Sequence, residues 1–463
     1  MKTRTLNTPS DDPLFDQGFW IVERLQEEGY TAYFAGGCVR DRLMRLHPED
    51  YDIATDAPPE RVEKLFSHTL AVGKAFGVII VIIDGVEYDV ARFRRDQEYE
   101  DGRRPTDVEF SSPKEDVKRR DFTVNGLLWD PVEEQAIDYV DGLKDLEREL
   151  IRTIGEPEER FTEDYLRMLR APRFAAQLDF EISNRTAEAI KIHAGHLTDM
   201  AEERILDEFK KLISTSHPAK GIRSMRDLNL LEQVLPAVDA LDNYRHGTEQ
   251  EGGSILDHVI RTLERWSERE ASEVDFLPSL EKEERIYVGC SILFHDIARP
   301  ESEDPTSELS KTDLSDPIHD NITSSLKKLR ASNDLIRTVR RVVKRHRKVL
   351  KADQYEQADW KRWMSDDSWP YVKWVCTCVL AECPGVPSDP FDHLLQREKD
   401  WSEDDLNPDR LLTGNDLKEM GLEPGPAFGE ILETVRRAQL NDDITSREEA
   451  MELTRQHISQ AGD

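Results

Sequence analysis

The chain has 463 residues and a mass of 53.5 kDa, enough for roughly three or four domains that each bury a core. Charged residues make up 34% of it, hydrophobic ones 38%, and the formal net charge is -32. So strong an acidic excess disfavours nonspecific adhesion to nucleic acid or membrane and leaves that work to local basic patches.

No apolar run approaches the ~20 residues of a membrane span, and the N-terminus carries no apolar segment with a small-residue cleavage site, so a cytoplasmic protein without membrane contact is expected. The five cysteines are odd in number and form no Cys-x-x-Cys pair, which argues against a disulfide framework or a cysteine zinc site. Cys376 and Cys378 read as plain helix residues.

In chain order, residues 17–30 predict an amphipathic helix, residues 31–37 a short strand ending in a glycine turn, and residues 38–45 a second helix. A strand at 50–55, a helix at 57–66 with proline at its start and a buried strand at 77–85 closed by Asp84-Gly85 follow. Another strand is expected over 86–96, and then 97–110 reads as a mobile polar loop leading into a further strand. Beyond about residue 140 helical periodicity dominates, interrupted by connectors near 240–253, 300–317 and 384–408. The expected fold is an α/β head, a mixed β-sheet with helices, followed by an all-α body and tail.

Two features of the head carry chemistry. In a strand, residues i and i+2 share a face, so Asp50 and Asp52 present adjacent carboxylates while Tyr51 points away. Such a pair repels itself unless a cation lies between, and Mg²⁺ prefers few carboxylates together with substrate phosphates. Just upstream, Gly36-Gly37 opens a helix whose N-terminal amides suit a triphosphate.

These residues resemble the nucleotidyltransferases of the DNA polymerase β superfamily and, within it, the bacterial class II tRNA CCA-adding enzymes and poly(A) polymerases. GGCVRD (36–41) with DYD (50–52) is similar to that family's first motif, and RRDFTVNGLLWDP (119–131) to its second. EDYLRMLRAPRFAAQLDFEI (163–182) is similar to its base-reading motif, and ERILDEFKKLI (203–213) to the neck motif.

The resemblance implies that Asp50 and Asp52 are catalytic Mg²⁺ ligands. Asp89 stands where the family usually has glutamate as a third carboxylate, which keeps the charge and shortens the reach. It further implies nucleotide contacts from Gly36, Gly37, Arg40, Arg120, Asp121, Asn125, Asp164, Arg167, Arg170 and Arg173. Arg120 suits phosphate through its permanent charge and planar fork of donors.

Asp164 and Arg167, three apart, are expected on one helix face. There a carboxylate can accept from the exocyclic amino group of C or A while a guanidinium donates to the neighbouring ring nitrogen. U and G reverse that pattern and leave buried polar groups unpaired. Pro172 should kink this helix. The segment 94–105 resembles the family's flexible loop, implied to help reshape the pocket between C and A addition.

In the second half, LDHVIRTLERW (256–266) and SILFHDIARP (291–300) resemble the HD phosphohydrolases, with His258, His295 and Asp296 as candidate ligands of Ni²⁺, Mn²⁺ or Co²⁺. His319 and His346 are further candidates to complete the set. Residues 335–351 form an amphipathic helix with Ile336, Val339, Val343 and Leu350 on one side and many arginines and lysines on the rest, suited either to tRNA backbone or to offsetting neighbouring carboxylates. Residues 411–435 resemble the family's C-terminal tail.

The sequence therefore predicts four segments: a nucleotidyltransferase head (1–140), a helical neck with the base-reading motif (141–245), an HD domain (246–355) and a helical tail (356–463). The implied function is template-independent addition of CCA to the 3′ end of tRNA from CTP and ATP, with the acceptor arm held by the body and tail. Poly(A) addition and partial C- or A-addition are the near alternatives. An HD phosphohydrolase or a non-catalytic RNA-binding protein are alternatives of another class, and the oligomeric state is open.

Overall fold

Asp12 opens the first helix: its side chain accepts from the Phe15 amide and Pro13 takes the first helical position, so α1 runs Pro13–Glu27 and starts earlier than its apolar periodicity predicts. Gly29, at φ +86°, ends it. The computed structural model describes residues 1–463 apart from 10, 74–76, 97–98, 101–103, 106–107, 247–252, 273, 275, 298–314, 423–424 and 462–463.

After β1 (Lys2–Thr5) and α1 come β2 (Ala32–Ala35), α2 (Gly37–Leu43), β3 (Ile53–Thr55), α3 (Pro59–Leu65), β4 (Thr69–Gly73), β5 (Val78–Ile83) and β6 (Val86–Arg92). Next are β7 (Arg94–Asp96), β8 (Tyr99–Glu100), β9 (Arg104–Pro105), β10 (Val108–Phe110), α4 (Pro113–Lys118), β11 (Leu127–Asp130), β12 (Gln135–Asp138) and α5 (Gly142–Glu147). Eight of the strands form one sheet in the order β1-β12-β11-β2-β3-β6-β5-β4, antiparallel except where β3 runs parallel to β6. The mixed sheet with helices expected for the head is present.

The strands β1, β4, β11 and β12 were not among the sequence expectations. β1 (KTRT) is exposed along its whole length, so no apolar alternation announces it, and only its pairing with β12 makes it a strand. β5 and β6 pair from Val78 with Ala91 to Ile83 with Val86 across the two-residue turn Asp84-Gly85, both at positive φ, which is the Asp-Gly signal of the sequence.

The strand expected over 86–96 breaks at Phe93, and β7 instead pairs with β10. The expected loop 97–110 differs likewise: β8 pairs with β9 inside the β7–β10 ladder. Residues 97–98, 101–103 and 106–107 of it lie outside the described residues.

Phe15, Phe34, Tyr51 and Trp129 pack together between α1 and the sheet, with ring centroids 5.0–5.8 Å apart, and Ile21, Val22, Leu25, Ile53, Ile79 and Val90 complete this core. Aromatic pairs at such distances add about 0.5–1.5 kcal/mol each beyond their burial.

The remaining elements are almost all helical. They are β13 (Leu150–Ile151), α6 (Pro157–Glu163), α7 (Arg167–Leu178), β14 (Glu181–Ile182), α8 (Asn184–His193), α9 (Glu202–Ile213), α10 (Pro218–Asp227), α11 (Leu231–Val234) and α12 (Pro236–Asp239). Then follow β15 (Arg245–His246), β16 (Gly253–Ser254), α13 (Ile255–Glu270), α14 (Lys282–Phe294), α15 (Ser315–Lys328), α16 (Asn333–Val349), α17 (Gln357–Met364) and α18 (Trp369–Glu382). The chain ends with α19 (Asp389–Asp400), α20 (Glu403–Leu406), α21 (Gly414–Glu419), α22 (Pro426–Leu440) and α23 (Arg447–Ala461).

Two units divide the chain, residues 1–236 and 237–463. In the second, the expected connector 384–408 contains α19 and α20, whereas most of 300–317 lies outside the described residues. α16 buries Ile336, Val339 and Val343 as expected, with Val349 rather than Leu350 fully inside. Its Arg341 and Arg345 pair with Asp366 at 3.2 and 2.9 Å, and Arg337 pairs with Asp334, so much of its positive charge offsets carboxylates of its own unit. Cys376 and Cys378 are buried in α18, and none of the five cysteines forms a disulfide among the described residues. Leu412, Leu417, Ile431, Val435 and Ala450 form a separate small core in the tail. No helix among the described residues is long and apolar enough to cross a membrane.

Candidate active site

The carboxylates meet because of one parallel pairing. β3 and β6 pair Ile53 with Val90, and continuing that register back by one residue sets Asp52 beside Asp89. Ile53 and Val90 are buried, so Asp52 and Asp89 emerge on the opposite, exposed face.

Asp50 and Asp52 lie in the segment entering β3 rather than inside a strand as expected, yet the alternation holds. Tyr51 turns into the core and donates its hydroxyl to Asp12 at 2.9 Å. Asp52 is solvent-accessible, but protein atoms crowd it enough that desolvation, followed by repulsion from Asp50, pushes its pKa up to about 6. Asp89 adds to the rise and Arg120 opposes it. Asp52, with the charges of Asp50 and Asp89 acting on it, offers the carboxylate oxygens that a divalent cation prefers.

Gly36, at φ +81°, caps α2. Its own N–H donates to Leu127 O at 3.0 Å, so only amides from Gly37 onward are left for the expected anion contact. Arg120 lies over this turn. One Nη donates to Asp116 at 3.3 Å, the other to Asn125 O at 3.5 Å, and the latter stands 2.7 Å from where a Gly36 Cβ would be.

Beneath this layer, several of the residues expected to contact nucleotide are buried and engaged within the protein. Arg40 is 3% exposed, donates to Asn125 Oδ1 at 2.6 Å and pairs with Asp41. It braces Asn125. Asp121 is buried, accepts from the Phe122 amide, Asn125 Nδ2 and Arg170, and its pKa is lowered: burial acts upward, but Arg170 and these hydrogen bonds outweigh it. Arg173 is also buried, paired with Glu208 at 2.9 Å and stacked over Phe174, and burial beside Arg170 pulls its pKa down to about 10. Arg170 is the more open of the two, a third exposed, and feels Asp164 as well as Asp121 and Glu208.

The base-reading pair departs from expectation. Asp164 is the extended residue that ends α6, and Arg167 begins α7, so the two do not share a helix face. Pro172, by contrast, does lie inside α7. Asp164 Oδ2 accepts from Arg204 of the neck helix α9 at 2.8 Å, and Oδ1 from the Leu166 amide at 3.1 Å. Arg167 donates to Glu163 and to the carbonyls of Arg160 and Arg119, the latter two at 3.0 Å, which leaves two of its five N–H groups among the described residues for another partner.

Asp116, Glu163, Arg204 and Glu208 thus belong to the site without having been singled out. Asp116 was visible in KEDVKRR, where it precedes Arg119 and Arg120 by three and four positions, the helical ion-pair spacing. Glu208 carried no local signal.

A second cluster lies in the other unit. His258 on α13 and His295-Asp296 at the end of α14 are buried together: the Nε2 atoms are 3.1 Å apart, and each is 3.6 Å from Asp296 Oδ2. The point equidistant from these three atoms is about 2.0 Å from each, the length of a transition metal–imidazole bond. His295 Nδ1 faces Ile292 O at 2.6 Å, a contact that keeps its proton there and turns the Nε2 lone pair inward. His346 packs edge-on to His295, 5.7 Å between centroids, and burial followed by the charge of Arg347 holds its pKa far below the ordinary histidine value. The side chain of His319 lies outside the described residues.

A family model described as the poly A polymerase head domain matches residues 32–152, and one described as a probable RNA and SrmB-binding site of polymerase A matches residues 179–241. A CCA-adding enzyme of Bacillus licheniformis is 44% identical over 229 residues, 49% of this chain and little more than half, 57%, of that protein. The solved Bacillus stearothermophilus CCA-adding enzyme in complex with CTP is 26% identical, covers 97% of this chain and 99% of its own, and superposes with a TM-score of 0.70. A CCA-adding enzyme of Streptococcus pyogenes is 34% identical over 458 residues, 97% of this chain and 98% of that protein, and a match of that extent makes this chain a member of the CCA-adding enzyme family.

Proposed function

We propose that this protein is a template-independent tRNA nucleotidyltransferase that adds the 3′-terminal CCA from CTP and ATP. The observation that carries this reading is the β3–β6 register, which sets Asp52 beside Asp89, with Asp50 and Arg120 close enough to shift the pKa of Asp52. The terminal ribose hydroxyl of tRNA loses its proton and attacks the α-phosphorus. A P–O bond forms there, the α–β bridging bond breaks, and pyrophosphate leaves.

Asp50, Asp52 and Asp89 hold the divalent cation, Mg²⁺ in this reading, which when bound makes the hydroxyl a better nucleophile and screens the phosphate charge. Arg120 binds the triphosphate beside the amides that follow Gly36. Asp121 and Asn125, fixed by Arg170 and Arg40, shape the floor under the ribose. Asp164, steadied by Arg204, accepts from the amino group of C or A, and the remaining N–H groups of Arg167 donate to the ring nitrogen. The acceptor arm of tRNA is held through shape and backbone contacts by the helical neck, body and tail, in the four segments 1–140, 141–245, 246–355 and 356–463. A cytoplasmic location goes with these substrates.

His258, His295 and Asp296 hold a transition metal, Ni²⁺, Mn²⁺ or Co²⁺, that supports hydrolysis of a phosphoester. The inward-facing donors, with an equidistant point at bonding length, favour this second activity.

Incubation with tRNA lacking CCA and with each labelled nucleotide, singly and mixed, tests the first reading. Addition of two C and one A, then arrest, is expected. Unlimited A addition favours a poly(A) polymerase, and no incorporation with any nucleotide overturns the assignment.

A further inference from the structure

Asp116 is 1% exposed, on the short helix α4, yet carries a full carboxylate. Oδ1 accepts from Arg119 Nε at 2.9 Å and pairs with an Arg119 Nη at 2.8 Å, and it also accepts from the Arg94 amide at 3.3 Å. Oδ2 accepts from Arg120 at 3.3 Å. Its pKa is nonetheless lowered: burial acts upward, and the two guanidinium charges with their hydrogen bonds outweigh it.

One carboxylate shared by two guanidiniums leaves a net positive charge on the pair. That surplus is felt at Asp52, whose pKa the Arg120 charge acts to lower. Arg120 is held at both of its Nη atoms, by Asp116 and by Asn125 O, while its Nε is buried with no partner among the described residues. With Asp116 removed, only a 3.5 Å contact to a carbonyl would keep the guanidinium over Gly36. The same carboxylate fixes the Arg94 amide at the start of β7, and the Arg119 carbonyl accepts from Arg167 at 3.0 Å.

We propose that Asp116 is a positioning residue for nucleotide binding, which acts through Arg120 and links the start of β7 to the segment 119–121. The inference rests on the reading of Arg120 as a triphosphate contact. Asp116 touches no substrate. It aims the charge that does.

A double-mutant cycle tests this. Parent, Asp116→Asn, Arg120→Ala and the double variant are compared by kcat and KM for CTP and ATP, by KM for tRNA, and by melting temperature. Each single variant is expected to raise KM for both nucleotides by about ten-fold, with KM for tRNA unchanged, and the double variant to match Arg120→Ala alone. Losses that multiply in the double variant overturn the inference, because Asp116 then acts independently of Arg120. An unchanged nucleotide KM in Arg120→Ala instead overturns the reading of Arg120, and the inference with it. Should Asp116→Asn not fold, Asp116→Glu keeps the charge and displaces the carboxylate by one methylene. A nucleotide KM equal to the parent in that variant overturns the inference, and a raised one supports it.

Discussion

Arg120 lies across Gly36, so that a Cβ at that glycine would come within 2.7 Å of its guanidinium. The turn that opens α2 and the segment that carries Arg120 therefore meet at a point with room only for hydrogen. The backbone there is also at φ +81°, a conformation that costs a side chain about 1 kcal/mol or more. Gly36→Ala is expected to push the guanidinium aside, because a flexible side chain yields before backbone does. Nucleotide KM should rise by about ten-fold, with a stability loss of only about 1–2 kcal/mol. Steady-state kinetics and a melting curve on the same variant check both parts, and a variant with normal KM would separate Arg120 from nucleotide binding.

Asp52→Asn removes charge and keeps shape. Incorporation should fall by at least about a hundred-fold while tRNA affinity stays near that of the parent. The raised pKa of Asp52 means that its ionised form is disfavoured in the folded protein, so its contribution to stability is lost as pH rises past 6. At neutral pH in chelator, the Asn variant should melt at the same temperature as the parent or slightly higher. A marked drop in melting temperature would show instead that Asp52 has a structural partner.

Arg204→Gln releases Asp164 from its 2.8 Å ion pair, and Arg167→Ala removes the donor partner. Both should weaken discrimination against UTP and GTP more than total nucleotide binding, by about ten-fold in the ratio of kcat/KM values. Single-nucleotide incorporation assays with all four triphosphates provide the measurement. Equal losses for all four would make Arg167 and Arg204 structural.

Asp366 accepts from Arg345 and Ser368 and pairs with Arg341, contacts that outweigh burial and hold its pKa well below the ordinary carboxylate range. A depressed pKa contributes stability that is present above the ordinary value of 3.8 and lost as pH falls below it. Asp366→Asn should cost about 1–3 kcal/mol at pH 7, a gap that stays constant down to about pH 5 and narrows below pH 4. Denaturant melts across that range check it, and a gap that widens with acid contradicts the pairing.

Replacing His295 and Asp296 by Ala should abolish a melting-temperature rise on addition of Ni²⁺, Mn²⁺ or Co²⁺, along with any metal-stimulated phosphoester hydrolysis. CCA addition should stay within a few-fold of the parent. A parent protein that binds none of these ions would leave the cluster as buried packing.

The sequence by itself pointed to the adjacent carboxylates, the glycine turn, the arginines of the second motif and the histidine doublet, because each lies in a short stretch with a readable local pattern. Tyr51 shows the strength of that signal: the alternation around it holds although β3 starts only at Ile53. What tertiary structure decided is which of these groups stay exposed and which are buried against other side chains. The family resemblance implies nucleotide contacts for Arg40 and Arg173, yet in the fold Arg40 is engaged by Asn125 and Asp41 and Arg173 pairs with Glu208, both largely buried. Asp164 and Arg167 keep their spacing but lose their shared helix, since the chain is extended at Asp164 between α6 and α7. Partners distant in sequence, such as Arg204 for Asp164 or Glu208 for Arg173, leave no periodicity to read. Their pairing is fixed by the burial that makes an unpaired charge too costly to leave, and burial belongs to the folded chain.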